Sequence, residues 1–252
     1  MRVSYRVDGP EQAMAIVFGN SLCATTQMWD AQMEPLVDKG FRVIRYDLRG
    51  HGDSPAPQGP CTIAELGGDV LELLDGLDVE RAHFVGLSIG AMIGMWLGAH
   101  AGERIDRLVL CCTSARPGAP EAWRGRLDAA RDNGMEWFAD GLLERWFTPQ
   151  WRAADPVRLA RMRTMITATT LEGYLGCGDP LVGLDLTGEL GRITAPTLVV
   201  AGAGDAAFGP GHAATIAEGI PGARTEIVAD AAHLANVEQP ERCTELLLEH
   251  LA

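Results

Sequence analysis

The chain has 252 residues, of which 47% are hydrophobic and 22% charged, the composition of a folded protein with length for one large domain or a domain carrying an insertion. Its 34 acidic and 21 basic residues leave a formal charge of -13. That field repels phosphate backbones and anionic bilayers, so nucleic-acid and membrane partners are not expected.

The opening segment, MRVSYRVDGPEQ, lacks a basic head followed by an apolar stretch, and no run of about 18 apolar residues follows anywhere. A cytoplasmic protein is expected. The first apolar run, 13–18, reads as a strand and leads into the loop Gly19-Asn20-Ser21-Leu22-Cys23. A second strand at 41–46 ends in the turn Arg49-Gly50-His51-Gly52. Thr62 with Glu65 three residues later forms a capping-box pattern, followed by a helix whose apolar positions are Leu66, Val70, Leu73, Leu74 and Leu77.

The run 82–87 reads as the next strand and passes directly into Gly86-Leu87-Ser88-Ile89-Gly90, which opens the helical segment AMIGMWLGAH. A sharp strand-to-helix turn leaves little room around its central residue, so glycines two before and two after allow a serine hydroxyl to project outward. This context predicts that Ser88 is a nucleophile; the bland alternative is a Gly-rich packing turn. Further strands are predicted at 105–111, 196–201 and 223–228. Strands separated by helices, several of them apolar throughout, imply a doubly wound and mostly parallel sheet.

Between 114 and 193 the rhythm breaks and helical periodicity takes over, predicting an inserted helical cap between core segments 1–113 and 194–252. The cap holds Trp123, Trp137, Trp146 and Trp151, and from 114 to 163 nine arginines face seven acids. Salt-bridged helix surface accounts for that balance, and so does a cap that attracts an anionic substrate. Trp123, Trp137 and Trp146 are candidates for walling a substrate pocket, with Ser21 beside them on the early loop. Among the cap cations, Arg124 and Arg145 are candidates for meeting an anion.

A serine hydroxyl needs a base, and after an elbow of this kind the partners follow in the order acid, then histidine. Asp205 stands just past the predicted strand 196–201, where open α/β sheets build their sites. Its rivals Asp185 and Asp230 fit turn or capping roles better. Among the histidines that follow, His212 opens a helix and His250 closes one, whereas His233 lies in a strand-end loop. His51, His83 and His100 receive structural readings. The backbone N–H of Ile89, and by position that of Leu22, are the expected oxyanion donors. The six cysteines, at 23, 61, 111, 112, 177 and 243, contain no C-x-x-C pair. They are expected as buried thiols, with no metal.

The core carries N-S-L followed by T-T-x-M-W-D at 20–30, R-Y-D-x-R-G-H-G at 45–52, and G-L-S-x-G-x-M-I-G-x-W-L-G-A-H at 86–100. The cap carries E-R-W-F-T-P at 144–149 and G-Y-x-G-C at 173–177, and D-A-A-H-L-x-N-x-E-Q-P stands near the end at 230–240. On these motifs the chain resembles, nearly end to end, the α/β-hydrolases of the 3-oxoadipate enol-lactonase family. The resemblance implies an α/β-hydrolase fold with a cap and cofactor-free opening of a small lactone bearing a carboxylate. Ser88, Asp205 and His233 occupy the family's triad positions. Two departures stand out: Cys23 replaces the glycine of N-S-L-G, and 181–186 lacks the arginine and one acid of an I-R-D-x-D-L run. These imply an alternative reading as an esterase or natural-product lactone hydrolase with a less polar substrate. A non-catalytic ligand-binding member of the fold is a third reading, and oligomeric state is left open.

Overall fold

The six predicted strands and one further edge strand assemble into a seven-stranded sheet in the computed structural model. It describes residues 3–252; Met1 and Arg2, where the expected core segment 1–113 begins, lie outside the described residues. The strands are β1 (Tyr5–Asp8), β2 (Ala15–Gly19), β3 (Arg42–Tyr46), β4 (Ala82–Leu87), β5 (Ile105–Cys111), β6 (Thr197–Gly202) and β7 (Arg224–Val228), and they lie in the order β1-β3-β2-β4-β5-β6-β7. Only β1 runs antiparallel, pairing Tyr5 with Tyr46 and Asp8 with Val43. Strands β2, β3, β4 and β6 are buried along their whole length, as expected of central strands covered on both faces, although β3 carries Arg42 and Arg45 and β4 carries His83.

Helices α1 (Asp30–Asp38), α2 (Ile63–Gly76) and α3 (Ile89–His100) alternate with the early strands. The expected capping box is present at α2: Thr62 Oγ1 accepts the Glu65 amide at 3.1 Å, and Glu65 Oε2 accepts that of Thr62 at 2.7 Å. Ten of the twelve residues of α3 are buried, as a helix packed against the sheet centre demands.

Between β5 and β6 the chain forms the inserted cap: α4 (Pro120–Trp146), α5 (Pro149–Ala154), α6 (Pro156–Thr167) and α7 (Leu171–Gly178). Helix α4 is broken at Gly134, whose φ of 77° and ψ of 170° interrupt the helical path. The core then resumes with β6, α8 (Pro210–Gly219), β7, the short α9 (Ala235–Glu238) and α10 (Pro240–Leu251). All six cysteines are buried and unbridged, as their spacing predicted. Among the described residues, no helix is long and apolar enough to cross a membrane.

Most cap arginines serve the surface. Arg116, Arg124, Arg131, Arg152, Arg158 and Arg163 each stand within 4 Å of a carboxylate. Arg124, one of the two candidates for meeting an anion, is exposed and paired with Glu121 at 3.6 Å. The other, Arg145, lines a cavity and has no ion-pair partner among the described residues.

Candidate active site

Ser88 sits at the junction of β4 and α3 with φ 58° and ψ -118°, a strained conformation that persists only where the surroundings enforce it. They do so from two sides. The Ser88 amide donates to the carbonyl of Cys111 at 3.0 Å, and Thr113 Oγ1 donates to the Ser88 carbonyl at 2.8 Å. The flanking glycines have a steric reason: a Cβ on Gly86 would overlap the Gly90 carbonyl, and a Cβ on Gly90 would overlap that of Gly19. The turn therefore closes only with glycine at both places.

The same close approach draws the loop after β2 alongside the turn. The Gly90 amide donates to the Asn20 carbonyl at 3.2 Å. Asn20 is itself fixed, its Nδ2 donating to the Tyr46 carbonyl at 2.8 Å and its Oδ1 accepting from Trp29 Nε1 at 3.1 Å. Farther along the loop, the Ser21 amide meets the Met28 sulfur and the Cys23 amide donates to His51 Nε2 at 2.9 Å. Among the described residues, the amides of Leu22 and Ile89 have no protein acceptor. They lie on the two segments that the Gly90–Asn20 bond ties together.

Asp205 follows β6 and His233 follows β7, and the structure brings them into contact: His233 Nδ1 lies 2.8 Å from Asp205 Oδ2. Both are buried. The other carboxylate oxygen, Oδ1, accepts the amides of Ala207 and Phe208 at 2.8 and 3.1 Å. Burial pushes the Asp205 carboxyl upward, but the facing imidazole and these amides outweigh it and hold the group below its ordinary value. Asp205 is thus an acceptor, so the imidazole carries its proton on Nδ1 and leaves Nε2 as the basic nitrogen. Asp185, by contrast, bonds the amide and hydroxyl of Thr187, and Asp230 occupies a turn with φ 51°.

Ser88 and His233 line one small cavity, of about 50 Å³, together with Ser21, Trp123 and Trp146. Trp137 does not join them. It is 60% exposed, beyond the break at Gly134, and lines an adjoining cap cavity instead. The break interrupts the helical path between Trp123 and Trp137, so the spacing between them does not fix what Trp137 meets. Helical periodicity through 120–146 could not reveal this.

Two residues, Arg126 and Glu238, escaped the sequence reading. Arg126 lines the cavity with Arg145, and nothing in a run of nine cap arginines distinguishes it. Glu238 is buried, and its Oε2 accepts the Ala232 amide at 2.6 Å; its place in the H-L-x-N-x-E-Q-P run was the available signal. His51, read as structural, is the side chain that anchors the Cys23 amide.

A doubly wound sheet with a serine at its sharp strand-to-helix turn and an Asp–His pair on two later strand ends defines a class. The chain belongs to the α/β-hydrolase family, whose model matches residues 15–240 under the description "alpha/beta hydrolase fold", and it is a carboxylic-ester hydrolase. Within that family it is closely related to the 3-oxoadipate enol-lactonases. It is 36% identical to 3-oxoadipate enol-lactonase 2 of Acinetobacter baylyi, over 95% of this chain and 89% of that one. The crystal structure of the enol-lactonase from Burkholderia xenovorans is 42% identical, covers 99% of this chain and 96% of its own, and superposes with a TM-score of 0.96. A thermophilic esterase from Thermogutta terrifontis, solved with malate bound, is 30% identical with a TM-score of 0.92, covering 99% and 92%.

Proposed function

We propose that the chain opens a small carboxylated lactone by acyl transfer, with Ser88 as nucleophile, His233 as base and Asp205 orienting the imidazole. The observation that carries this reading is the Asp205–His233 contact of 2.8 Å, on a cavity whose wall includes Ser88. His233 Nε2 takes the hydroxyl proton as Ser88 Oγ bonds to the lactone carbonyl carbon, and the ring oxygen leaves with that proton. Water, deprotonated by the same nitrogen, then releases the acid and restores Ser88. Asp205 stays ionised throughout and stabilises the imidazolium.

The tetrahedral oxyanion is held by the amides of Leu22 and Ile89, each such donor contributing about 2.7–4 kcal/mol of transition-state stabilisation. Arg126 and Arg145, cationic and without ion-pair partners among the described residues, supply the attraction for the carboxylate. They answer the missing arginine near Val182, so the substrate keeps its charge. In this reading the cap is 114–193 and the core is 1–113 with 194–252.

The test is a purified-enzyme assay on the enol-lactone of 3-oxoadipate beside neutral lactones of equal ring size, repeated with Ser88→Ala. Turnover of the charged lactone that vanishes in the variant supports the reading. A preference for neutral lactones sinks the substrate assignment, and full turnover by Ser88→Ala sinks the mechanism.

A further inference from the structure

The cavity at Ser88 and His233 measures only about 50 Å³, well below the roughly 300 Å³ at which pockets for whole small molecules begin. It holds a reacting carbonyl and not a whole substituted lactone. Directly beside it, open to solvent at the cap surface, lies a second chamber of about 560 Å³, with the exposed Trp137, Asp140 and Gly141 on its wall. Trp123, Arg126, Leu142 and Arg145 line both spaces, so they form the threshold between them.

The threshold and the outer chamber differ in chemistry. At the threshold stand two guanidinium groups without ion-pair partners among the described residues. Arg126 lies over the Trp123 ring, its Cζ 4.8 Å from the centroid. Burial and the charge of Arg145 both push the Arg126 pKa down, as expected where one half-buried cation has another beside it. An anion between them would relieve that repulsion. Beyond the threshold the walls are mainly apolar and aromatic, including Phe138 and Tyr174, whose rings lie 5.0 Å apart. The carboxylate on that wall, Asp140, is already committed to Arg163 Nε at 2.9 Å.

We propose that the substrate spans both chambers, with its ester carbonyl at Ser88, an anionic group at the Arg126–Arg145 threshold and an apolar or aromatic substituent in the cap chamber. This rests on the Ser88 mechanism above and extends its substrate class. The enzyme takes carboxylated lactones that carry a further apolar arm, in preference to the bare carboxylated ring.

The test uses the purified full chain and three γ-lactones: one with a carboxymethyl arm, the same lactone with a benzyl group on that arm, and the benzylated lactone with a neutral hydroxyethyl arm. Proton release on ring opening gives kcat/KM for each. The wild type is expected to favour the benzylated acid about 10-fold or more over each of the other two, the scale at which pocket contacts discriminate. Gly141 lines the cap chamber, and a Cβ there meets nothing within 4 Å, so Gly141→Leu fills space without displacing a neighbour. It should bring the benzyl preference close to one. Arg126→Met should do the same to the preference for acid over alcohol. Because both readouts are ratios within one variant, partial loss of folded enzyme does not mimic either effect. Equal kcat/KM for the benzylated and plain acids in the wild type would overturn the proposal, as would a benzyl preference untouched by Gly141→Leu. Activity on all three lactones surviving in Ser88→Ala would instead defeat the underlying mechanism.

Discussion

Glu238 accepts the backbone amide of Ala232 at 2.6 Å, one residue before the histidine that meets Asp205. Its second oxygen accepts the amide of Thr148, at the start of α5 in the cap, and the Leu234 amide donates to the Trp146 carbonyl at 3.1 Å. The loop that carries His233 is therefore held on both sides by the cap, through one buried carboxylate and one backbone bond. Burial pushes the Glu238 pKa up and the two amides pull it back, leaving it raised.

Glu238→Gln is expected to slow turnover with little change in KM. A carboxylate accepts at both oxygens, whereas the glutamine amide has one oxygen and an NH2 that would face the second backbone N–H. One buried donor is left unmet, at about 1–3 kcal/mol of stability, and the imidazole loses one of its tethers. A displacement of that kind lowers kcat by roughly 10- to 100-fold. Steady-state kinetics beside a thermal melt decide it; unaltered kcat with a lowered melting temperature would leave Glu238 a purely structural residue.

Asp205→Asn is expected to cut kcat by roughly ten-thousandfold while the fold persists, because the asparagine no longer selects the tautomer with a basic Nε2. It also changes acid stability. The Asp205 pKa is depressed below its ordinary 3.8, so the ionised group contributes stability that is complete above that value and lost as pH falls through the folded pKa. Denaturant unfolding as a function of pH should show the wild type ahead of the variant at pH 7 and the gap closing on acidification. A gap that stays constant from pH 7 downward would contradict the shift.

Much of the core was legible because burial on both sheet faces writes itself as apolar runs: 82–87 and 105–111 match β4 and β5 residue for residue. β1 was missed for the opposite reason. Its residues Tyr5, Arg6 and Val7 are exposed on an edge, so no apolar run marks it. At the site, Ser88, Asp205 and His233 stand at strand ends, where chain order alone narrows the choice. Trp137 and Arg126 could not be sorted in the same way. Which helix face meets the cavity depends on the break at Gly134 and on where α4 lies over the core. Contacts such as Glu238 with Thr148 join residues 90 positions apart, beyond the reach of any local pattern.

His51 gives the early loop a pH limit of its own. Its Nε2 accepts the Cys23 amide and its Nδ1 meets the Arg49 carbonyl at 3.0 Å, so the bonded form is the neutral imidazole with its proton on Nδ1. Burial lowers its pKa from 6.5 to about 4. The unfolded chain then binds the extra proton between those values, and stability present above pH 6.5 is lost as pH falls toward 4, by roughly 3 kcal/mol. His83 is lowered to about 4 and His250 is also lowered, both chiefly by burial, so they add to the same window. The slope of unfolding free energy against pH between 6.5 and 4 should be shallower in His51→Asn than in the wild type. Identical slopes would remove His51 from the balance.

Cys23 occupies a left-handed backbone position, with φ 68°, and is fully buried beside the proposed oxyanion amide of Leu22. A side chain there costs about 1–2 kcal/mol of backbone strain. Cys23→Gly removes that strain, but it gives up the packing of a small buried thiol and adds about 0.5–1 kcal/mol of unfolded-state entropy. These effects nearly cancel, so the variant should unfold within about 1 kcal/mol of the wild type despite losing a core side chain. Cys23→Val pushes the other way: a β-branched residue is a true outlier at positive φ, and loss of more than about 2 kcal/mol is expected. The pair of denaturation curves separates backbone strain from packing. If glycine proves as damaging as valine, the thiol's contacts rather than its backbone angle govern this loop.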